Sequence, residues 1–400
     1  MSNAEANAAD PTRPRNLKSL DAALDAMVSN GSIPYVVAAL GNSAGQIWSG
    51  AAGERASGMA AGGDTIFRIV SMSKAVGATA ALILADRGRL NWETPVEEIL
   101  PDFARLVVIE NDVETQLRRP ARTKATLRNL ATHTSGLAYE FWDGAVGRYL
   151  AESGMPSIVS GQRAGLLYPL AFDPGTAWQY GGGADWLGLA VSAIDGRSID
   201  RFCIEEIFEP LGLTSTSFEL NATSAALLGD VLARKENGEL GSSVLNLDPP
   251  ASPEFYGMGH ALYSTAPDYL RFLRMWLGMG SLDGVRILSE ATARDALRNQ
   301  IGTLRIEPRS TVFAPATSDL DPMPGVELSH SLVAARTERQ MPGRRAVGSA
   351  FWGGVMNTHF WLDPTADLAG VFMTQVVPFL DGYVMRDLEE FERLSYSLMI

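Results

Sequence analysis

The chain has 400 residues, 46% apolar and 20% charged, enough to bury a large core in one or two lobes. Its formal net charge of −13 argues against nucleic-acid or anionic-membrane partners, since neither polyanion gains from an acidic surface. The single cysteine, Cys203, permits no intrachain disulfide and points to a reducing compartment.

Residues 1–16, MSNAEANAADPTRPRN, are polar and lack an apolar signal region, so a mobile tail and a cytoplasmic chain are expected. No apolar run approaches the length of a membrane span. Leu17, Leu20, Leu24, Met27 and Val28 recur at helical spacing and predict a first helix ending near the NGS at 30–32. PYVVAAL and QIWSGAAG, separated by GNSAG, predict a hairpin. A helix is predicted from Ser71 to about Asp86, with Gly88 as its stop. Further helical stretches lie at 126–137, 185–196 and 198–212; Cys203, within the last, reads as a small buried thiol. Thr265 is expected to cap another helix, with Asp268 as its capping-box partner. Residues 300–347, rich in Pro, Arg and Ser, are expected to form long loops. FWGGVMNTHFWLDP and LAGVFMTQVVPF predict strands, and DLEEFERLSYSLMI predicts a closing helix.

Strands at both ends with helices between them predict an α/β (α+β) fold: an antiparallel sheet flanked by terminal helices, plus an inserted, mostly helical lobe. The expected division is a tail at 1–16, a discontinuous α/β lobe at 17–70 and 256–400, and a helical lobe at 71–255. The cleft between lobes is the expected place for a site.

Two serines compete as nucleophile. Ser43 sits in GNSAG, a literal G-x-S-x-G, but that elbow needs a helix after the serine. Here Gly45, Gly50 and Gly53 follow within ten residues, and each glycine costs a helix about 1 kcal/mol. Asn, Ser and Gly together are ordinary hairpin-turn chemistry. Ser71, in RIVSMSKAVG, instead opens a helix, where free N–H groups and the macrodipole favour developing negative charge. Lys74 lies on the same helical face, within reach of the Ser71 hydroxyl, and a neutral lysine can take a serine proton. Tyr180 precedes three glycines and a helix start, where backbone can approach a ligand closely; on the local sequence alone a core aromatic with a satisfied hydroxyl is the favoured reading. Gly353 and Gly354 in FWGGV fit a bulge or sheet edge as well as a ligand contact.

Taken in order, FRIVSMSK, ATLRNLATHTSGL, FDPGTAWQYGGGADWLG, FEPLGLTSTSF, YSTAPDYLRFL, WGGVMNTHFWLDP and VFMTQVVPF resemble the serine hydrolases of the class C β-lactamase and penicillin-binding-protein superfamily. The likeness runs from about residue 17 to 380 and is closest to the family VIII carboxylesterases. It implies a β-lactamase-like fold forming one catalytic unit. Ser71 is then the acylated nucleophile, Lys74 its proton acceptor and Tyr180 a second general base. The oxyanion hole is implied to be the backbone N–H groups of Ser71 and Val355. Two departures matter. Gly182 stands where β-lactamases have an asparagine, and Trp352 stands where they carry the lysine that pairs with the β-lactam carboxylate. An indole there favours an apolar or aromatic acyl group and leaves at most weak β-lactam hydrolysis.

Trp352, Gly353 and Gly354 are therefore expected at the substrate, as are Tyr139, Phe141 and Trp142, for which packing between lobes is an equal alternative. His260 faces the cleft by the same resemblance, or else packs structurally. His133, His260, His330 and His359 show no metal-ligand spacing, and neither a metal nor an organic cofactor is expected. The resulting expectation is a carboxylesterase acting on small esters through a Ser-Lys-Tyr acyl-enzyme. An acyltransferase with the same intermediate and a catalytically silent ligand-binding relative are the alternatives.

Overall fold

The computed structural model describes residues 17–110, 118–243, 245 and 248–398; the tail expected over 1–16 lies outside them. At its centre both ends of the chain join one sheet. The N-terminal part supplies β1 (Tyr35–Gly41), β2 (Gln46–Ala56) and β3 (Met59–Ala60). The C-terminal part supplies β4 (Leu328–His330), β5 (Ala335–Thr337), β6 (Ala350–Gly354), β7 (Thr358–Asp363) and β8 (Leu368–Met373). The strand order is β4-β5-β6-β7-β8-β1-β2-β3, and every pairing is antiparallel. The ends meet where β1 pairs β8, with Ala39 opposite Val371.

The longer helices that matter to the site are α1 (Lys18–Ser29), α2 (Ser73–Asp86), α3 (Gly183–Asp195), α4 (Ala266–Leu277) and α5 (Gly382–Ser397). Successive residues of β7 face opposite sides of the sheet, as strand geometry requires. Trp361 reaches Phe391 of α5, 5.9 Å between ring centroids, whereas Phe360 meets Tyr269 of α4 at 5.3 Å. Phe391 also contacts Trp48 of β2 and Phe372 of β8, each at 5.6 Å. With both faces covered, β1 (YVVAALG) and β8 (LAGVFM) are buried at every position and read as continuous apolar runs rather than alternations.

Helix α2 is buried from Ser73 through Leu84, the pattern of a central helix with no solvent face. It can approach α3 because Gly77 and Gly188 both face Met258: a Cβ at either would lie 2.7 or 2.8 Å from that side chain.

Several expectations change. The region 300–347 is not all loop, since β4 and β5 form an edge of the main sheet; their three-residue length and polar Ser329, His330 and Arg336 conceal them. The stretch 126–137 is helical only over Leu127–Ala131, because His133 turns the chain at φ +57°. A 3-10 turn, Val70–Met72, precedes α2, so Ser71 sits in that turn rather than at the start of the α-helix. Thr265 does cap α4 by accepting from the Asp268 N–H. The Asp268 carboxylate, however, accepts from the Ser215 N–H and the Thr216 hydroxyl instead of closing a capping box. The closing helix begins earlier than expected, with Asp381 accepting from Tyr383 and Val384 N–H groups at its start. Among the described residues no helix is long and apolar enough to cross a membrane.

Candidate active site

The hairpin expected around Ser43 forms, with β1 and β2 antiparallel. Ser43 sits at its exposed turn, where its hydroxyl donates to Asp367 Oδ2 at 2.8 Å and its N–H to Oδ1 at 3.0 Å. No helix follows it.

Ser71 is held differently. The preceding Val70 has φ +42°, a left-handed conformation that is costly for a β-branched residue and typical of functional turns. Lys74, in the first turn of α2, is buried, and its Nζ donates to Ser71 Oγ at 3.1 Å and to the Gly259 carbonyl at 2.9 Å. The same Nζ lies 4.7 Å from the Tyr180 ring centroid and 5.1 Å from that of Tyr139.

Tyr180 is brought here by its glycines. A Cβ on Gly181 would lie 2.3 Å from the Leu137 carbonyl oxygen, and one on Gly183 would lie 2.4 Å from that of Leu130. The chain can therefore cross residues 130–138 backbone to backbone, and the Tyr139 N–H donates to the Tyr180 carbonyl at 3.0 Å. Around the Tyr180 ring stand His133, Trp352, Tyr139 and Trp142, with centroids at 4.8, 4.9, 5.1 and 5.9 Å. Its hydroxyl accepts the Trp352 indole N–H at 2.9 Å.

On the other side of Ser71, Gly354 packs against backbone: a Cβ there would lie 2.4 Å from the Ile69 carbonyl oxygen and 2.5 Å from Thr358 Oγ1. This close approach sets Val355, the next residue, beside the Ser71 turn. Among the described residues, neither the Ser71 nor the Val355 N–H donates to a backbone carbonyl, as an oxyanion hole requires.

Ser71, Tyr180, Gly353, Val355, Tyr139, Phe141, Trp142 and His260 all line one cavity of about 270 Å³, together with Phe379 and Gly259. Two expected substrate contacts do not. Trp352, bonded to Tyr180, lines a neighbouring cavity and a small void of about 20 Å³ that Ser71 and Lys74 also border, and Gly354 packs against Ile69. The cavity wall on this strand is Gly353 and Val355. Sequence reasoning passed over Gly259, which accepts from Lys74, and Asp185, buried beside it; the glycine-rich FYGMGHAL was the available signal for Gly259.

Burial dominates the electrostatics. It lowers the His260 and His133 pKa values, against the pull of Asp185 at His260 and with His330 and then Lys74 adding to it at His133, and lowers His330 to about 4. The Tyr139 hydroxyl is pushed well above the usual phenol range by burial and then by Asp185. Among the described residues no group of three or more His, Cys, Asp or Glu side chains is placed to hold a metal ion. Cys203 is buried away from the site, its thiol pushed up by burial. The arrangement offers a hydroxyl with an amine in hydrogen-bond contact, a phenol, two free N–H groups and an apolar chamber, which together suit acyl transfer through a covalent intermediate.

Comparison with known proteins agrees in kind. The Beta-lactamase family model matches residues 20–392. Protein Rv1367c of Mycobacterium tuberculosis is 33% identical over 79% of both chains. The monacolin J acid methylbutanoyltransferase of Aspergillus terreus is 30% identical over 84% of this chain and 82% of its own. The lovastatin esterase of Penicillium rubens is 29% identical over 82% and 84%. Among solved structures, unliganded simvastatin synthase (LovD) of Aspergillus terreus superposes with a TM-score of 0.82 at 24% identity, covering 96% of this chain and 99% of its own; that likeness speaks to the fold. The chain therefore belongs to the Beta-lactamase family, among the serine hydrolases of β-lactamase and penicillin-binding-protein type.

Proposed function

We propose that the protein is a serine carboxylesterase that cleaves small carboxylic esters through an acyl-enzyme on Ser71, resembling the family VIII carboxylesterases. The observation that carries this reading is the 3.1 Å contact between Lys74 Nζ and Ser71 Oγ at the wall of the aromatic-lined cavity.

In the first half-reaction Ser71 Oγ bonds to the ester carbonyl carbon and its proton passes to Lys74 Nζ. The carbonyl oxygen, now anionic, sits between the Ser71 and Val355 N–H groups, where each donor is worth several kcal/mol to the transition state. Collapse breaks the bond to the alkoxide, which leaves as an alcohol with a proton delivered by way of Tyr180. In the second half a water attacks the acyl-enzyme and gives its proton to the same base pair, and the acid departs as Ser71 regains its proton. The apolar walls Tyr139, Phe141, Trp142 and Phe379 favour an apolar acyl group, and Trp352 in place of a lysine offers no cation for a carboxylate.

If an alcohol replaces water in the second half, the same site is an acyltransferase. The transferase and esterase among the relatives support keeping that reading. A fluorophosphonate probe followed by peptide mass spectrometry should place one adduct on Ser71. Esterase turnover of short p-nitrophenyl esters, with and without an added alcohol, then separates the two reactions: product ester forming faster than free acid favours transfer. An unlabelled protein refutes both.

A further inference from the structure

We propose that Asp185 is a positioning residue for Lys74, acting through Gly259; the inference rests on the Ser71–Lys74 reading above. Asp185 is the third residue of α3 and is fully buried. Its Oδ1 accepts the Gly259 N–H at 2.7 Å, and the Gly259 carbonyl accepts from Lys74 Nζ at 2.9 Å. One residue is thus gripped at both of its polar atoms, by the carboxylate on one side and the amine on the other.

The glycines around it are fitted to that carboxylate. A Cβ on Gly259 would lie 2.8 Å from both Asp185 oxygens, and one on Gly257 would lie 2.7 Å from Oδ1. Asp185 therefore lies against the turn 257–259 on the side of Gly257 and Gly259, where a side chain at either position would collide with it. Neither neighbour satisfies the carboxylate fully. Among the described residues Oδ2 is buried without a hydrogen-bond partner, and the His260 Nδ1 stands 3.8 Å from Oδ1, beyond a hydrogen bond. A half-satisfied buried carboxylate is costly, and its place in the first turn of α3 offsets only part of that. A structural cap for one N–H needs no charge. A charge is useful when Lys74 takes the Ser71 proton, because the carboxylate polarises Gly259 and strengthens its carbonyl as acceptor for the new ammonium.

The test compares Asp185→Ala, Asp185→Asn and Lys74→Ala with each double variant, reading the rate of fluorophosphonate adduct formation on Ser71 and the steady-state hydrolysis of p-nitrophenyl butyrate. Asp185→Ala should lower kcat by about 100-fold, the scale of a small misplacement of a reacting group, with little change in KM. Asp185→Asn should recover part of the loss, because its oxygen still accepts the Gly259 N–H. In the Lys74→Ala background neither substitution should slow labelling further, since the group they position is gone. If Asp185→Ala does not unfold cooperatively, Asp185→Asn alone carries the comparison. Equal losses with and without Lys74, or a kcat unchanged in both variants, overturn the role of Asp185. Failure of the unsubstituted protein to label at Ser71 overturns the nucleophile reading and this inference with it.

Discussion

Replacing Trp352 with Phe removes the indole N–H, exchanges the buried bicycle for a smaller ring and leaves that ring beside Tyr180. The lost donor reaches the Tyr180 hydroxyl at 2.9 Å, and the ring centroids lie 4.9 Å apart. In the resting enzyme the bond contributes about 1 kcal/mol net and the smaller buried ring costs about 1–2 kcal/mol more in packing, so the melting temperature should fall by a few degrees. In any step where Tyr180 has surrendered its proton, the indole donates to an anion. Such bonds are roughly twice as strong, about 1.5–3 kcal/mol; the gain of about 0.5–2 kcal/mol over the resting bond converts to a loss of about 2- to 30-fold in kcat. KM should hardly move, because the interaction strengthens only in the transition state. The assay is steady-state hydrolysis of p-nitrophenyl acetate, butyrate and octanoate, with a thermal melt of each protein. Since Gly353 and Val355, not the indole, form the cavity wall, the loss should be the same factor at every chain length. An unchanged kcat refutes the claim that Trp352 supports Tyr180. A loss that grows with chain length refutes it too, by making the indole a pocket wall.

Ser71→Ala should abolish fluorophosphonate labelling and esterase turnover, while Ser43→Ala should keep both at a stability cost of about 0.5 kcal/mol; the reverse pattern would move the nucleophile to the hairpin. Gly354→Ala should cripple labelling, because its Cβ would meet the Ile69 carbonyl oxygen at 2.4 Å, whereas Gly45→Ala, with nothing within 4 Å, should label as the unsubstituted protein does. Acid should destabilise the fold before the carboxylates titrate. Burial lowers all four histidines, His330 to about 4 and His359 to about 3, so between pH 6.5 and 4 the unfolded chain binds protons that the folded one does not. Stability then falls with pH, by about 2 kcal/mol at pH 5 for each of His330 and His359; burial also raises the Asp268 and Asp387 carboxyls, an opposing effect that sets in nearer their own range. Equal urea midpoints at pH 7.5 and pH 5 would refute this.

What could be read from the chain was local. Leu20, Leu24 and Met27 mark the buried stripe of α1, and β1 and β8 announce themselves because both their faces are covered. Ser71 and Lys74 are three residues apart, so one helical turn suffices to join them. The strands β4 and β5 escaped because three residues with a polar majority carry no period. The rest of the site depends on pairs far apart in the chain. Lys74 meets Gly259 across 185 positions, Asp185 meets Gly259 across 74, and Trp352 meets Tyr180 across 172. That the Trp352 indole would meet the Tyr180 hydroxyl is set by the strand register, which a tryptophan next to two glycines does not announce. The φ of Val70 has no sequence signal either, since valine is a poor choice for that conformation and only the surrounding packing enforces it.

Ser43 shows why the pairing of a hydroxyl with a neighbour is not sufficient. Its Oγ donates to a carboxylate at 2.8 Å, closer than Ser71 stands to Lys74, and it sits in a literal nucleophile motif. Yet it lies on an exposed turn, where water competes for every bond and a charge gains little from a fixed dipole. At Ser71 the amine is buried, a phenol and an indole stand behind it, and two N–H groups are left open toward an apolar chamber. Preorganised dipoles in a dry site need no rearrangement when charge develops, which is the larger part of what such a site contributes. On the proposed reading, the catalytic difference between the two serines lies in what the fold packs around them. That packing comes from Gly181, Gly183, Gly257, Gly259 and Gly354, where a single Cβ would drive one segment away from another.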